Sequence, residues 1–140
     1  MWYISNFGTS LFIIILAITA FLAGKSSLSL QLLAGLIICF MVIFPIKMLF
    51  YKDRPERRMH KNWIEKFDAA AFPSAHSNRA ALLFIILSFF FAKIQLAVFF
   101  LVMSLLIGYS RIYVKRHYWA DVVVGYFIGI VEGFLIVIFL

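Results

Sequence analysis

The sequence predicts an all-α integral membrane bundle of about five transmembrane helices with a short interfacial helix. Apolar residue types make up 65% of the 140 residues and charged types only 14%, whereas a soluble domain of this size needs more polar residues to cover its surface. The apolar residues form five long runs, and none alternates with the period of a strand. Because backbone N–H and C=O groups in lipid must form hydrogen bonds within their own segment, we expect these runs to be helices. The length of the chain indicates a single domain, 1–140.

The five predicted helices cover residues 9–23, 28–50, 74–92, 94–109 and 118–140. The segment before the first run contains no Lys or Arg, which is atypical of a secretory signal, so we expect this run to remain as a helix. Several runs are shorter than the roughly 20 residues that a bilayer requires. Local thinning of the bilayer or interfacial helix ends would accommodate them.

The polar segments between the runs are of two kinds. The turns 24–27 and 92–93 are short, whereas the loops 51–72 and 110–117 hold most of the charges. With five spans, the two charged loops emerge on the same side of the membrane. The longer loop carries Trp63, Ile64 and Phe67 on one helical face, which predicts a short interfacial helix. A polar loop with a Trp anchor is the alternative.

The last predicted helix carries Gly125, Gly129 and Gly133 at intervals of four residues. Small residues at this spacing allow two helices to approach closely. We expect the partner to be another helix of the same chain, with homodimerisation as the alternative, and the oligomeric state is left open. Glu132 lies too far along the same helix to share a site with Asp121, and we expect it to be paired or protonated within the bundle.

The net charge of +7 does not indicate a nucleic-acid partner, because the basic residues crowd between apolar runs instead of forming a long stripe. An anionic lipid surface is a better partner. The basic residues beyond the motifs described below, which we place on the same side, are Lys52, Arg57, Arg58, Lys61, Lys66, Arg79, Lys115 and Arg116. We interpret them as a solvated surface that faces anionic lipid, with a substrate that carries several negative groups as the alternative. The single cysteine, Cys39, excludes an intrachain disulfide.

The first cluster of chemically informative residues is Lys47 with Arg54-Pro55. A lysine within an apolar run is costly unless it reaches the interface or has a partner. Pro55 limits continuation of the helix. Two cations from a helix end and the loop after it are therefore expected to converge, although a snorkelling lysine would also explain Lys47.

The second cluster, Pro73-Ser74-Ala75-His76, begins the third predicted helix. Proline is favoured at a helix start, where the free amides that follow suit an anion. Ser74 adds a hydroxyl, and His76 is placed to reach an ester oxygen. An ordinary capped helix start is the alternative for this segment alone.

The third cluster runs from Ser110-Arg111 through His117 to Asp121. His117 and Asp121 are four residues apart and therefore share one face of a helix. A carboxylate bonded to one ring nitrogen fixes the tautomer and leaves the other nitrogen as a nucleophile. An arginine, an imidazole and a carboxylate are thus predicted to meet at the membrane surface.

Taken together, the clusters resemble the three-part signature of the type 2 phosphatidic acid phosphatase superfamily. That signature is Lys-x6-Arg-Pro, Pro-Ser-Gly-His and Ser-Arg-x5-His-x3-Asp, and residues 47–121 match it in order and register. Ala75 stands where the signature has glycine, which is tolerable if that position needs no positive φ. Many members of the family have six spans, and we expect this chain to have one span fewer before Lys47.

The resemblance implies a phosphatase that needs no cofactor or metal. His117 would attack phosphorus to form a phosphohistidine, with Asp121 orienting it, and His76 would serve as the acid and then the base. The phosphoryl oxygens would be held by Lys47, Arg54, Ser74, the Ala75 amide and Arg111. Zinc bound by the two histidines and Asp121 is the alternative, and the neighbouring cations argue against it.

The expected substrate is a membrane lipid phosphate or pyrophosphate: lipid A 1-phosphate, undecaprenyl pyrophosphate or phosphatidylglycerophosphate. The competing function is a non-catalytic membrane protein that binds lipid phosphates or transports a small anion. A vanadate-dependent haloperoxidase is a poorer match, since those enzymes are soluble and larger. Positive charge favours a cytoplasmic site, whereas bacterial relatives act at the outer face of the inner membrane, and we expect the periplasmic face.

Overall fold

The computed structural model describes residues 6–55 and 70–140, and those ranges contain five α-helices and no strand. The helices are α1 (Ser10–Leu22), α2 (Ser26–Leu49), α3 (Ala75–Phe91), α4 (Ile94–Tyr113) and α5 (Trp119–Phe139). The prediction of an all-helical bundle is confirmed. The proposed interfacial helix containing Trp63, Ile64 and Phe67 lies outside the described residues, as does His60.

Three helices, α2, α4 and α5, are long and apolar enough to cross a membrane, while α1 and α3 are shorter apolar helices. At 1.5 Å per residue, the 17 residues of α3 extend about 26 Å, slightly less than the roughly 30 Å hydrocarbon core. Apolar side chains cover the outer surface of the bundle, where Leu11, Phe127 and Ile138 are each more than 60% exposed. Such a surface is compatible with lipid and not with water, so the chain is an integral membrane protein.

Helix α3 is the centre of the bundle. It contacts α2, α4 and α5, and its most extensive contact is with α5. The core between the helices contains Ile13, Leu32, Leu82, Ile86 and Ile136. Because α3 is surrounded, residues at its N-terminus are positioned by three other helices at once.

The glycine face of α5 packs against α3 of the same chain. A Cβ atom at Gly129 would lie 2.1 Å from the carbonyl oxygen of Asn78, and one at Gly125 would lie 2.5 Å from that of Ser74. The backbones of the two helices therefore approach too closely for any side chain at these positions. The same contact gives Glu132 its partner, because Asn78 Nδ2 donates a hydrogen bond of 2.9 Å to Glu132 Oε2.

One helix boundary differs from the prediction in a way that matters for the site. We predicted an end at residue 109 for the fourth helix, but α4 continues to Tyr113. Ser110 sustains the helix by donating its hydroxyl to the carbonyl of Ile107 at 2.6 Å. Ser110 and Arg111 therefore belong to the last turns of α4, not to the loop in which we had placed them.

Candidate active site

Five of the predicted site residues line one cavity of about 80 Å³ at the end of the bundle where α2 ends and α3 begins. They are Lys47, Arg54, Ala75, His76 and His117. All three sequence clusters thus contribute to one site, as expected from loops on the same side. The other lining residues are Cys39, Phe40, Ile43 and Arg79.

The two cations of the first cluster converge as predicted. Lys47 lies in the last turn of α2 and is only 4% exposed. Its Nζ donates a hydrogen bond of 3.0 Å to the carbonyl of Ala70, so the ammonium group does not merely snorkel to the surface. Arg54, in the segment that follows α2, is buried against the same cavity. Two fixed positive charges therefore face a small enclosed space.

The second cluster forms the start of α3, with Ser74 as the N-cap. The Ser74 hydroxyl accepts hydrogen bonds from the amide of Ser77 at 3.4 Å and from the Ser77 hydroxyl at 2.9 Å. Ser74 is fully buried and does not line the cavity. Ala75 is the first helical residue and has no positive φ, so alanine in place of glycine is unstrained there.

A tight turn after α4 carries the chain from Arg111 to His117. The carbonyl of Arg111 accepts the amides of Arg116 at 3.0 Å and His117 at 3.2 Å, and the carbonyl of Ile112 accepts the amide of Lys115 at 2.9 Å. Lys115 has a φ of 54°, the left-handed conformation that closes many helices. This closure explains the spacing, because five intervening residues are needed to bring His117 back over the end of α4.

The imidazole of His117 is held by a main-chain carbonyl. Its Nδ1 lies 2.7 Å from the oxygen of Ala71, and a carbonyl can only accept, so Nδ1 carries the proton and Nε2 has the free electron pair. We predicted that the Asp121 carboxylate would make this hydrogen bond. That partner was wrong: Asp121 Oδ2 lies 3.9 Å from Nδ1, beyond hydrogen-bond distance, although near enough for electrostatic attraction.

Asp121 instead ties three segments together. Its Oδ2 accepts the amide of Tyr118 at 2.8 Å, which caps the start of α5. Its Oδ1 lies 2.6 Å from the Nζ of Lys52, and its main-chain oxygen accepts the amide of Ser74 at 2.9 Å. The carboxylate is completely buried, so the salt bridge and the helix start together offset the cost of its burial.

Burial, together with the charges of Lys47, Arg54 and Arg111, lowers the pKa of His117 to about 3, while the hydrogen bond to Ala71 opposes the shift. The imidazole is therefore neutral at physiological pH. A neutral ring with a protonated Nδ1 has its reactive pair on Nε2, which is the state that a nucleophile requires.

Arg111 is placed differently from the other predicted phosphate ligands. It is 9% exposed and lies in the last turn of α4 near His117, but it does not line the cavity. Its charge contributes to the low pKa of His117, so it acts on the same site electrostatically.

Several residues that position the site were not identified from the sequence. Ala70 and Ala71 act through their carbonyl oxygens. Lys52 acts through a salt bridge to Asp121, which is distant in the sequence. No local sequence pattern indicates a carbonyl contact or a salt bridge of this kind. Arg79 was grouped with solvated basic residues, which was wrong, because it is 7% exposed and lines the cavity. Its position three residues after His76 is the signal that identifies it, since residues at this spacing share a helix face.

The fold and the site define a membrane-embedded helical bundle with a cationic, histidine-containing cavity at one end. The sequence pattern of the PAP2 superfamily matches residues 28–140, and the chain belongs to that superfamily. The expected resemblance is thereby confirmed.

Two relatives show how far the similarity extends. Phosphatidylglycerophosphatase B of Bacillus subtilis (strain 168) is 28% identical over 108 residues, which cover 64% of this chain and 53% of that protein. The chain thus spans about half the length of this curated relative. The crystal structure of Aquifex aeolicus LpxE superposes with a TM-score of 0.82 at 25% identity, covering 98% of this chain and 82% of that chain.

Proposed function

We propose that the protein is a metal-independent membrane lipid phosphatase that hydrolyses a phosphate monoester or pyrophosphate through a phosphohistidine intermediate. The observation that carries the proposal is the setting of His117. Its Nδ1 is bonded to the carbonyl of Ala71, and the ring shares one cavity with Lys47, Arg54 and His76. A neutral nucleophile beside fixed cations is the arrangement that phosphoryl transfer needs.

In the proposed reaction, Nε2 of His117 attacks phosphorus and the leaving oxygen accepts a proton from His76. Water then hydrolyses the phosphohistidine, with His76 acting as the base. Lys47 and Arg54 stabilise the charge on the phosphoryl oxygens, supported by Arg111 and by the amide at Ala75. Asp121 contributes from behind the ring by charge, at 3.9 Å, and fixes the start of α5.

Lipid phosphates are the proposed substrates because the cavity lies at one end of an apolar, membrane-embedded bundle, where the phosphate of a membrane lipid can reach it. The Bacillus relative is a phosphatidylglycerophosphatase, and the superfamily resemblance implies the other two lipids. Phosphatidylglycerophosphate, lipid A 1-phosphate and undecaprenyl pyrophosphate are therefore the substrates to compare. We place the site at the periplasmic face of a bacterial inner membrane, because the basic residues serve phosphate binding and need not follow the positive-inside rule.

Phosphate release from the three lipids by the detergent-solubilised full chain tests the proposal. We expect His117→Ala to reduce the rate of phosphate release at least about a thousand-fold. The third histidine, His60, lies outside the three motifs, so His60→Gln is the matched control. Labelled substrate should leave an acid-labile, base-stable phosphate on the wild-type protein. Vanadate should inhibit and EDTA should not. An active His117→Ala variant would contradict the mechanism.

The same assay addresses the competing function, a non-catalytic protein that binds lipid phosphates or transports an anion. That function predicts saturable binding of all three lipids without phosphate release. The buried, oriented histidine favours catalysis, because lipid or anion binding alone requires no particular tautomer at His117.

A further inference from the structure

Arg79 is a cation of the cavity that belongs to none of the three motifs. It lies on α3 three residues after His76 and lines the same cavity as both histidines, Lys47 and Arg54. Among the described residues that line this cavity, there is no Asp or Glu. The space thus has one more fixed positive charge than the motifs supply.

The guanidinium of Arg79 is oriented by neutral acceptors. Its Nε donates to the carbonyl of Gly8 at 3.0 Å and its Nη1 donates to the hydroxyl of Ser10 at 2.6 Å. Within residues 6–55 and 70–140, no carboxylate forms a salt bridge with it. A buried charge in an apolar bundle is costly without a counter-charge, so the site is suited to an anionic ligand that supplies one.

The position of Arg79 along α3 indicates which part of a substrate it meets. It lies about 4.5 Å further along the helix axis than His76, at 1.5 Å per residue, toward the apolar interior of the bundle. The hydrocarbon part of a lipid must extend toward the bilayer. The leaving group therefore lies on the Arg79 side of the reacting phosphorus, beside the proton donor His76.

We propose that Arg79 binds the second phosphate of a lipid diphosphate and thereby makes such diphosphates the preferred substrates, an inference that rests on the proposed phosphatase function. A bond forms between His117 Nε2 and the terminal phosphorus while the bond to the bridging oxygen breaks. The electron pair stays on the bridging oxygen, which takes a proton from His76 as lipid monophosphate leaves. Water then cleaves the phosphorus–nitrogen bond, giving phosphate, and its proton passes to His76.

The distinction between substrates lies in the charge of the leaving group. Cleavage of a lipid diphosphate releases an anionic lipid monophosphate, whereas cleavage of a simple lipid monophosphate releases a neutral alcohol. A fixed guanidinium stabilises the first leaving group and has little to act on in the second. Arg79 is thus a specificity-determining residue, and its effect should appear in a ratio of substrates.

The test compares farnesyl diphosphate with farnesyl monophosphate, two substrates with the same hydrocarbon chain, on the full chain in detergent. We expect Arg79→Gln to lower kcat/KM for the diphosphate by about 10- to 100-fold and for the monophosphate by less than about 3-fold. Arg79→Lys should fall between, because it retains the charge without the planar fork. Lys93→Gln, which removes an exposed cation from the turn between α3 and α4, is the control and should leave the ratio unchanged.

Equal losses for both substrates in Arg79→Gln and Arg79→Lys would show a structural role and overturn the inference. If Arg79→Gln does not fold, an unchanged diphosphate preference in Arg79→Lys overturns it instead. A wild-type protein that releases phosphate from neither substrate, nor from the three bacterial lipids, would contradict the proposed function itself. A wild-type protein that is active on the bacterial lipids, with an altered ratio in the variants, would support both.

Discussion

The Nζ of Lys52 lies 2.6 Å from Oδ1 of Asp121, joining the segment after α2 to the first turn of α5. The same ammonium group lies 4.4 Å from the centre of the Tyr118 ring. The Lys52 main-chain oxygen accepts the amide of Ala71, whose own oxygen holds His117. Lys52 therefore supports the proposed nucleophile along two routes, one through its backbone and one through its side chain.

Loss of the Lys52–Asp121 salt bridge should weaken the site without dismantling it. Asp121→Asn retains an oxygen that can cap α5, and Lys52→Gln retains the backbone link to Ala71. Because the Lys52 side chain is 41% exposed, we expect a coupling free energy of about 0.5–1 kcal/mol in a double-mutant cycle of thermal stability. Lys115→Gln, an exposed lysine, is the control. Strictly additive effects of the two substitutions on stability would mean that the Lys52 and Asp121 side chains are not energetically coupled.

The low pKa of His117 predicts a pH dependence of stability. Its pKa is about 3 in the folded protein and 6.5 in the unfolded chain, so the unfolded state binds more protons between these values. The contribution of the neutral His117 side chain to the free energy of unfolding is fully present above pH 6.5 and is lost as the pH falls toward 3. Between pH 6.5 and 4.5 we expect a loss of about 2 kcal/mol from this residue alone.

Thermal unfolding in detergent from pH 4 to 7 measures this dependence. His117→Gln has no ionisable ring and should show a shallower fall in Tm over the same range. Identical slopes for the variant and the wild type would mean that His117 is not the group being protonated.

The contact between α3 and α5 should not tolerate a side chain at Gly129. A Cβ there would meet the backbone oxygen of Asn78 at 2.1 Å, and a helix backbone cannot move as a flexible side-chain end can. We expect Gly129→Ala to lower stability by about 1–3 kcal/mol or more and to reduce activity with it. Thermal unfolding and phosphate release provide the measurements.

Gly24 offers the matched control for that substitution. A Cβ there would have no atom within 4 Å, and asparagine tolerates a positive φ such as its 73° better than most residues, so Gly24→Asn should cost less than Gly129→Ala. A Gly129→Ala variant as stable as Gly24→Asn would show that the two helices can separate, contrary to the close approach described above.

The proposed periplasmic site predicts opposite labelling of two introduced cysteines. Lys93 lies in the turn between α3 and α4, and Asp53 is exposed at the end of the bundle that holds the cavity. In intact cells of a Gram-negative host, a membrane-impermeant maleimide should label Asp53→Cys and not Lys93→Cys, both in a Cys39→Ala background. The reverse pattern would place the cavity in the cytoplasm.

The helices and the cationic side chains were predictable because their signals are local. Long apolar runs fix α2 and α5 within a few residues, and the four-residue glycine spacing indicated the face that packs on α3. Lys47, Arg54, His76 and His117 were found from residue type and spacing, and they line one cavity.

The hydrogen bonds that orient those side chains were not predictable in the same way. His117 is hydrogen-bonded to the main-chain oxygen of Ala71, and Lys47 to that of Ala70. Because every residue has a carbonyl oxygen, the sequence does not indicate which one a side chain will meet. Asp121 was expected to bond to the imidazole because of the four-residue spacing, but its nearest partners are the Tyr118 amide and the distant Lys52. Only the fold decides which of several possible acceptors a donor meets.

The hydrogen bond from the amide of Ser74 to the main-chain oxygen of Asp121 has a consequence for biosynthesis. The start of α3 is completed by an atom of α5, a helix that leaves the ribosome after α3. A nascent chain in which α5 has not yet entered the bilayer thus lacks the support on which the cavity depends. The proposed phosphatase activity should therefore appear only after α5 has joined the bundle, so that a half-assembled chain does not attack the lipids around it.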